Sequence, residues 1–193
     1  MKEHPDFYTD FMQQILGVSG SDTNKVTLDV SKFFIRGYSS MYQSLSKQYG
    51  DVNWLQKDIQ KAFQYVKYYF PDYKTSKIIL FLGPLDAPGV ALTRIRYCSW
   101  LASIWRKGFS CIPKHGSAAT FPAYISRRFE SQYIVVNCMK AVIEDIYPDR
   151  SGAKGLVEQM IEKGKQWWLL DKFLPATPDS LKTGFTKQQL RLV

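Results

Sequence analysis

Across residues 52–70 the apolar side chains Val52, Leu55, Ile59, Phe63, Val66 and Phe70 recur at intervals of three and four. A helix gathers residues so spaced onto one face, whereas a strand would scatter them over both. The run therefore predicts a helix with a single apolar face. Pro71 ends it, because its ring and missing N–H bar continuation. Asp51 and Asn53 stand where a side-chain oxygen can cap the first free N–H groups. A helix built this way must lay its face on another element, so the chain is expected to be held together by helix packing.

Other segments repeat the pattern. Phe7, Phe11 and Ile15 follow Pro5 at helical spacing and end at Gly17. Phe34, Tyr38, Met41, Tyr42, Leu45 and Tyr49 form a second stripe. Residues 121–146 predict a helix whose face is Ile125, Phe129, Tyr133, Cys138, Val142 and Ile146, broken by Tyr147 and Pro148. Residues 154–173 predict another, turning Leu156, Met160, Gly164, Trp167 and Leu170 inward and closing at Pro175. Thr186 and Gln189 have the spacing of a capping box, and since only Leu190 to Val193 follow, the chain is expected to end early. One short apolar run, KIILFLG at residues 77–83, is rich in Ile and Phe and bounded by Gly and Pro, which predicts a buried strand. The fold class is thus α+β, predominantly helical with a small sheet, in one domain spanning residues 1–193.

At 193 residues and 45% hydrophobic the chain carries enough apolar material for a core. No apolar run approaches the roughly 18 residues of a membrane span. The start, MKEHPDFYTD, has neither the apolar stretch nor the cleavage site of an export signal, so the chain as written is expected in the cytoplasm. Three cysteines and two histidines, with no CxxC or HExxH, exclude a zinc site of the usual spacing, and no cofactor is expected.

The net charge of +9 is unevenly distributed. Between residues 87 and 129 there is no Asp or Glu, and the stretch 94–120 alone, RIRYCSWLASIWRKGFSCIPKHGSAAT, holds five basic side chains, without which the charge falls to +4. Arg94, Arg96, Arg106 and Lys107, interleaved with Trp100, can contact phosphates and stack bases. No nucleic-acid-binding module surrounds them, so nucleic acid is the alternative partner only. The same stretch breaks the periodicity on either side and is expected to pack poorly. Elsewhere, Tyr65, Tyr68, Tyr69 and Phe70, and Trp167 with Trp168, can line a sugar or peptide groove or serve as core; Tyr68, Tyr69 and Trp168 are the candidate interaction surface. Glu144, Asp145 and Asp149 beside Tyr147 are expected to be solvated charges at a helix end. Glu158, Glu162, Lys163 and Lys165 are expected to form a solvated helix face. No residue is assigned a catalytic role.

Three long strings, KYYFPDYKTSKIILFLGPLDAPGVAL, FPAYISRRFESQYIVVNCMKAVIEDIYP and LVEQMIEKGKQWWLLDKFLPATPDSLKTGFT, together with the start FYTDFMQQILGV, resemble the gliding-motility lipoprotein GldB family of the Bacteroidota. The resemblance covers nearly the whole chain except residues 94–120, and none of the strings is a catalytic motif. It implies a lipid-anchored cell-envelope protein, required for gliding in gliding relatives, with protein partners in the envelope. It also implies a fold distantly similar to zincins, here without the metal motif. Against the family pattern the chain as written is expected to lack the signal peptide, the lipid-attachment cysteine, the C-terminal continuation and a matching middle. Because the spacing across 94–120 is right while the residues are not, a shifted reading frame is the expected origin of that stretch, genuine divergence being the alternative: one base over, the codons of Trp100 and Trp105 would both yield glycine, as the resemblance implies.

The residues and the resemblance together lead to a non-catalytic envelope protein associated with gliding or envelope assembly, present as a fragment. The alternatives are a cytosolic nucleic-acid-binding protein using residues 94–114 and a degenerate peptidase-like enzyme.

Overall fold

A computed structural model describes residues 5–19, 24–49, 51–75, 77–83, 91–92, 97–99 and 131–191. Within them the fold is predominantly helical: α1 (Pro5–Asp10), α2 (Asn24–Tyr49), α3 (Asn53–Tyr69), α4 (Ile134–Ile146), α5 (Leu156–Phe173), α6 (Asp179–Thr183) and α7 (Lys187–Leu190). The strands are short: β1 (Lys77–Ile78), β2 (Ala91–Leu92) and β3 (Tyr97–Ser99), in the order β1-β3-β2. β1 runs parallel to β3, pairing Lys77 with Tyr97 and Ile78 with Cys98, and β2 runs antiparallel to it. The strand expected over residues 77–83 is thus realised only in its first two residues. The zincin-like expectation finds no support in this helical architecture.

The chain divides into two compact units, Met1–Lys57 with Ser76–Ala102, and Asp58–Thr75 with Ser103–Val193. In the first, α1 passes into a single π-helical segment, Phe11–Ile15, where Leu16 N–H reaches back to the Phe11 carbonyl at 3.0 Å. Gly17, at φ +69°, stops it as the sequence predicts, since a residue with a Cβ resists that left-handed conformation. Rings then hold the segment: Phe11 lies 5.8 Å from Phe34 and 5.5 Å from Phe81, and Phe7 lies 5.7 Å from Phe81. Each such pair contributes on the order of 1 kcal/mol beyond the area it buries. α2 begins well before the apolar stripe that predicts it. Its Tyr42 is exposed, against expectation.

α3 begins where Asp51 Oδ1 accepts from Asn53 N–H at 2.8 Å, the predicted cap. Its stripe is realised except at the start: Leu55 and Val66 are buried and Ile59, Phe63 and Phe70 half-buried, but Val52, which precedes the helix, is exposed, and Ala62 is buried beside them. In the second unit Phe70 meets Phe173 edge to face at 6.0 Å. α4 is the most enclosed element, with Ile134, Val135, Val136, Cys138, Met139, Val142 and Ile143 all buried. An apolar face this broad is packed over most of the helix, leaving Glu144 and Asp145 exposed. Cys138 and Val142 of its expected face are buried, whereas Tyr133 and Ile146 are half-buried. After α5, Lys182 is buried and holds two carboxylates, Asp171 at 2.5 Å and Asp179 at 3.1 Å, tying α6 back to α5. Burial alone would pull that ammonium's pKa down; the two carboxylates more than offset it and raise it. The capping box opening α7 is complete: Gln189 N–H donates to Thr186 Oγ1 and Thr186 N–H to Gln189 Oε1.

Candidate functional site

The expected inward face of α5 is largely inverted. Leu156 is 72% exposed and Met160 64%, and Trp167 is exposed too; only Leu170 is buried as predicted. The residues that α5 buries are Glu162, Gln166, Leu170 and Phe173, and Glu162 and Gln166 are each only 8% exposed. Glu162 therefore does not belong to a solvated face.

The physical reason lies in the loop after α4. A buried polar group is tolerated when its hydrogen bonds are made. Tyr147 Oη donates to Glu162 Oε2 at 2.9 Å, and Lys165 Nζ donates to Glu162 Oε1 at 2.7 Å. Gln166 Nε2 donates to Glu144 Oε2 at 2.7 Å and to the Tyr147 carbonyl at 3.1 Å. The other oxygen of Glu144 accepts from Asp149 N–H at 3.0 Å. Polar groups on the inner side of α5 thus splice it to the end of α4, with Leu170 and Phe173 buried beyond them, and Leu156, Val157, Met160, Ile161, Trp167 and Trp168 are left outside.

These bonds set the charges. Lys165 and then Tyr147, by their hydrogen bonds, hold the Glu162 carboxyl below its ordinary pKa. Glu162 first and Tyr147 second raise Lys165, which stays an ammonium at neutral pH. Asp149 is pushed down to about 2, chiefly by the Ser151 hydroxyl, then by the Ser151 N–H and by Lys163, whose ammonium lies 3.0 Å away. Asp145 accepts from the Tyr73 hydroxyl at 3.0 Å. Glu144 and Asp145 are exposed, as expected of charges at a helix end, and with half-buried Asp149 they also serve as joints between elements.

Beside this network lies an open cleft of about 560 Å³, lined by Phe70, Ile146, Tyr147, Ile161, Gly164, Lys165, Trp168 and Leu169. Its polar side chains are Lys165 and Tyr147, and both are bonded to Glu162. A sugar groove needs several free donors and acceptors; this lining suits an apolar guest. A Cβ at Gly164 would meet nothing within 4 Å, so the glycine leaves a notch in the wall.

Of the three residues expected to form an interaction surface, Trp168 lines the cleft, with Lys172 Nζ 5.0 Å from its ring centroid. Tyr68 and Tyr69 do not line it; they stand exposed, edge to face at 5.1 Å. Phe70 was legible as part of their aromatic cluster. Ile146, Tyr147, Ile161 and Leu169 carried no signal, because they converge only through the α4–α5 splice. Arg94, Arg96, Trp100, Arg106 and Lys107 lie outside the described residues, as does the expected poor packing of residues 94–120 apart from the backbone of β2's partner strand β3. Among the described residues no group of three His, Cys, Asp or Glu side chains could hold a metal, and no helix is long and apolar enough to cross a membrane.

The described residues thus define a predominantly helical protein with an open apolar cleft and an outward apolar helix face. The family described as gliding motility protein GldB matches the chain over residues 1–193, and the chain belongs to that family. It is a family of cell-envelope lipoproteins and not a known enzyme family. No curated protein and no solved structure matches the chain.

Proposed function

We propose that this chain is a non-catalytic, protein-binding domain of the cell envelope, serving gliding motility or envelope assembly, and that the outward face of α5 receives its partner. The observation that carries this is the exposed apolar row Leu156, Val157, Met160, Ile161 and Trp168 beside the cleft. Contiguous apolar surface of this kind on a folded domain marks an interaction site. The family match runs unbroken through both units, which supports treating them as one family domain. The carboxylates nearest the cleft are engaged in joints between elements, which favours binding over acid–base chemistry.

Site-specific photo-crosslinking in an envelope extract tests the proposal. A crosslinker at Met160 is expected to give a discrete protein adduct that the triple variant Ile161→Ser, Trp168→Ser, Val157→Ser loses. A crosslinker at exposed Gln56 is expected to give none. Equal adducts at both positions, or an adduct indifferent to the triple variant, would overturn it.

A further inference from the structure

Resting on that docking face, the geometry points to the chemistry of the partner: we infer that α5 receives an acidic amphipathic helix, laid across Gly164. Val157, Ile161, Gly164 and Trp168 follow one another at steps of four, three and four residues, with Met160 three after Val157 and four before Gly164, so they share one side of α5. That is a ridge of helical period, the counterpart of a helix that presents its own anchors at the same steps. At the middle of the ridge, Gly164 opens space that a side chain of the incoming helix can enter, with Ile161 and Trp168 as its walls.

The charge along one border of the ridge selects the sign of the partner. Lys165 lies about two turns before Lys172, and both flank Trp168 on the same side. Lys165 shares two of its protons with Glu162 and Tyr147 and leaves one N–H for a guest, and its side chain is 52% exposed. Lys172 sits over the Trp168 ring, at the edge of the cleft. The anions nearby are Glu158, a full turn and more toward the N-terminus, and Asp171, which is held by Lys182. Glu162 is buried beneath the ridge with both oxygens engaged. The free positive charge therefore lies along the C-terminal half of the border, where carboxylates of a partner helix would meet it. Such rim contacts contribute little to total affinity but decide between partners of opposite sign.

The test uses the full chain and two fluorescent synthetic helices of about 20 residues, long enough to form turns on binding. Both carry Leu at helical spacing on one face; the first has Glu on the flanks and its twin has Lys. Fluorescence anisotropy is expected to show the acidic helix binding about five- to tenfold tighter at low salt, with the gap closing as salt rises. Lys172→Glu is expected to reverse the order. Gly164→Leu, whose Cβ would meet nothing within 4 Å and which improves helix propensity, is expected to keep or raise Tm while abolishing binding. Trp168→Ser gives a second block by removing the wall. If both helices bind alike, or the basic twin binds tighter, and Gly164→Leu still blocks them, the acidic preference is overturned while the docking face stands. If neither helix binds, or Gly164→Leu and Trp168→Ser leave binding intact, the docking face falls with it.

Discussion

Asp149 shows how one carboxylate is recruited to shape a loop. Its pKa of about 2 in the folded chain lies below its ordinary 3.8 because the Ser151 hydroxyl and N–H donate to the ionised form. A group depressed on folding adds stability that is complete above its unfolded pKa and is lost as pH falls through the folded one. Urea midpoints are therefore expected to drop between about pH 4 and pH 2, and Asp149→Asn is expected to flatten that decline while lowering stability at neutral pH. The same slope in both proteins would show that the charge is immaterial. Residues whose partners lie close in sequence were legible beforehand: Thr186 with Gln189, and Asp51 before α3. Glu162 and Gln166 were not, because their partners Tyr147 and Glu144 come from another element and no local spacing announces the meeting.

For a whole element, α5 shows where periodicity stops being a guide. Its length and position follow from the sequence, with Gly155 before it and Pro175 just after. Its orientation does not, since apolar side chains occupy both sides and only contacts with α4 decide which is covered. The splice itself can be weakened without touching the core. Tyr147→Phe removes the phenol that donates to Glu162 and is expected to lower stability by about 1 kcal/mol, measured by chemical denaturation. By contrast Phe173→Ala removes a fully buried ring that meets Phe70, and the expected loss is about 3–5 kcal/mol. A Phe173 variant no weaker than the Tyr147 variant would mean that α5 is held by its polar joints rather than by packing.

Across the whole molecule, the family was legible in long colinear strings, and the match over residues 1–193 agrees with them. The helical class followed from three- and four-residue spacing, whereas the sheet shrank to pairings of two or three residues because an apolar run alone cannot say how far its neighbours will pair. The cleft was hidden for a related reason. Its walls come from the end of α3 near Phe70, the end of α4 near Ile146 and the middle of α5 around Gly164, and each looks ordinary alone.

The enclosure of α4 has a consequence on the timescale of proton exchange. An amide on its packed face can meet deuterated solvent only when the elements around it open together, since Ile134 through Val136, Cys138, Met139, Val142 and Ile143 are buried and only Glu144 and Asp145, in its last turn, are exposed. In a deuterium pulse the α4 amides are expected to be the last to become heavy, well after those of the outward turns of α5. Uptake in α4 as fast as in α5 would show that the helix frays by itself. If it lags, α4 is a clock for the unit around it, and the rate at which it gains mass reads out how often that unit comes apart.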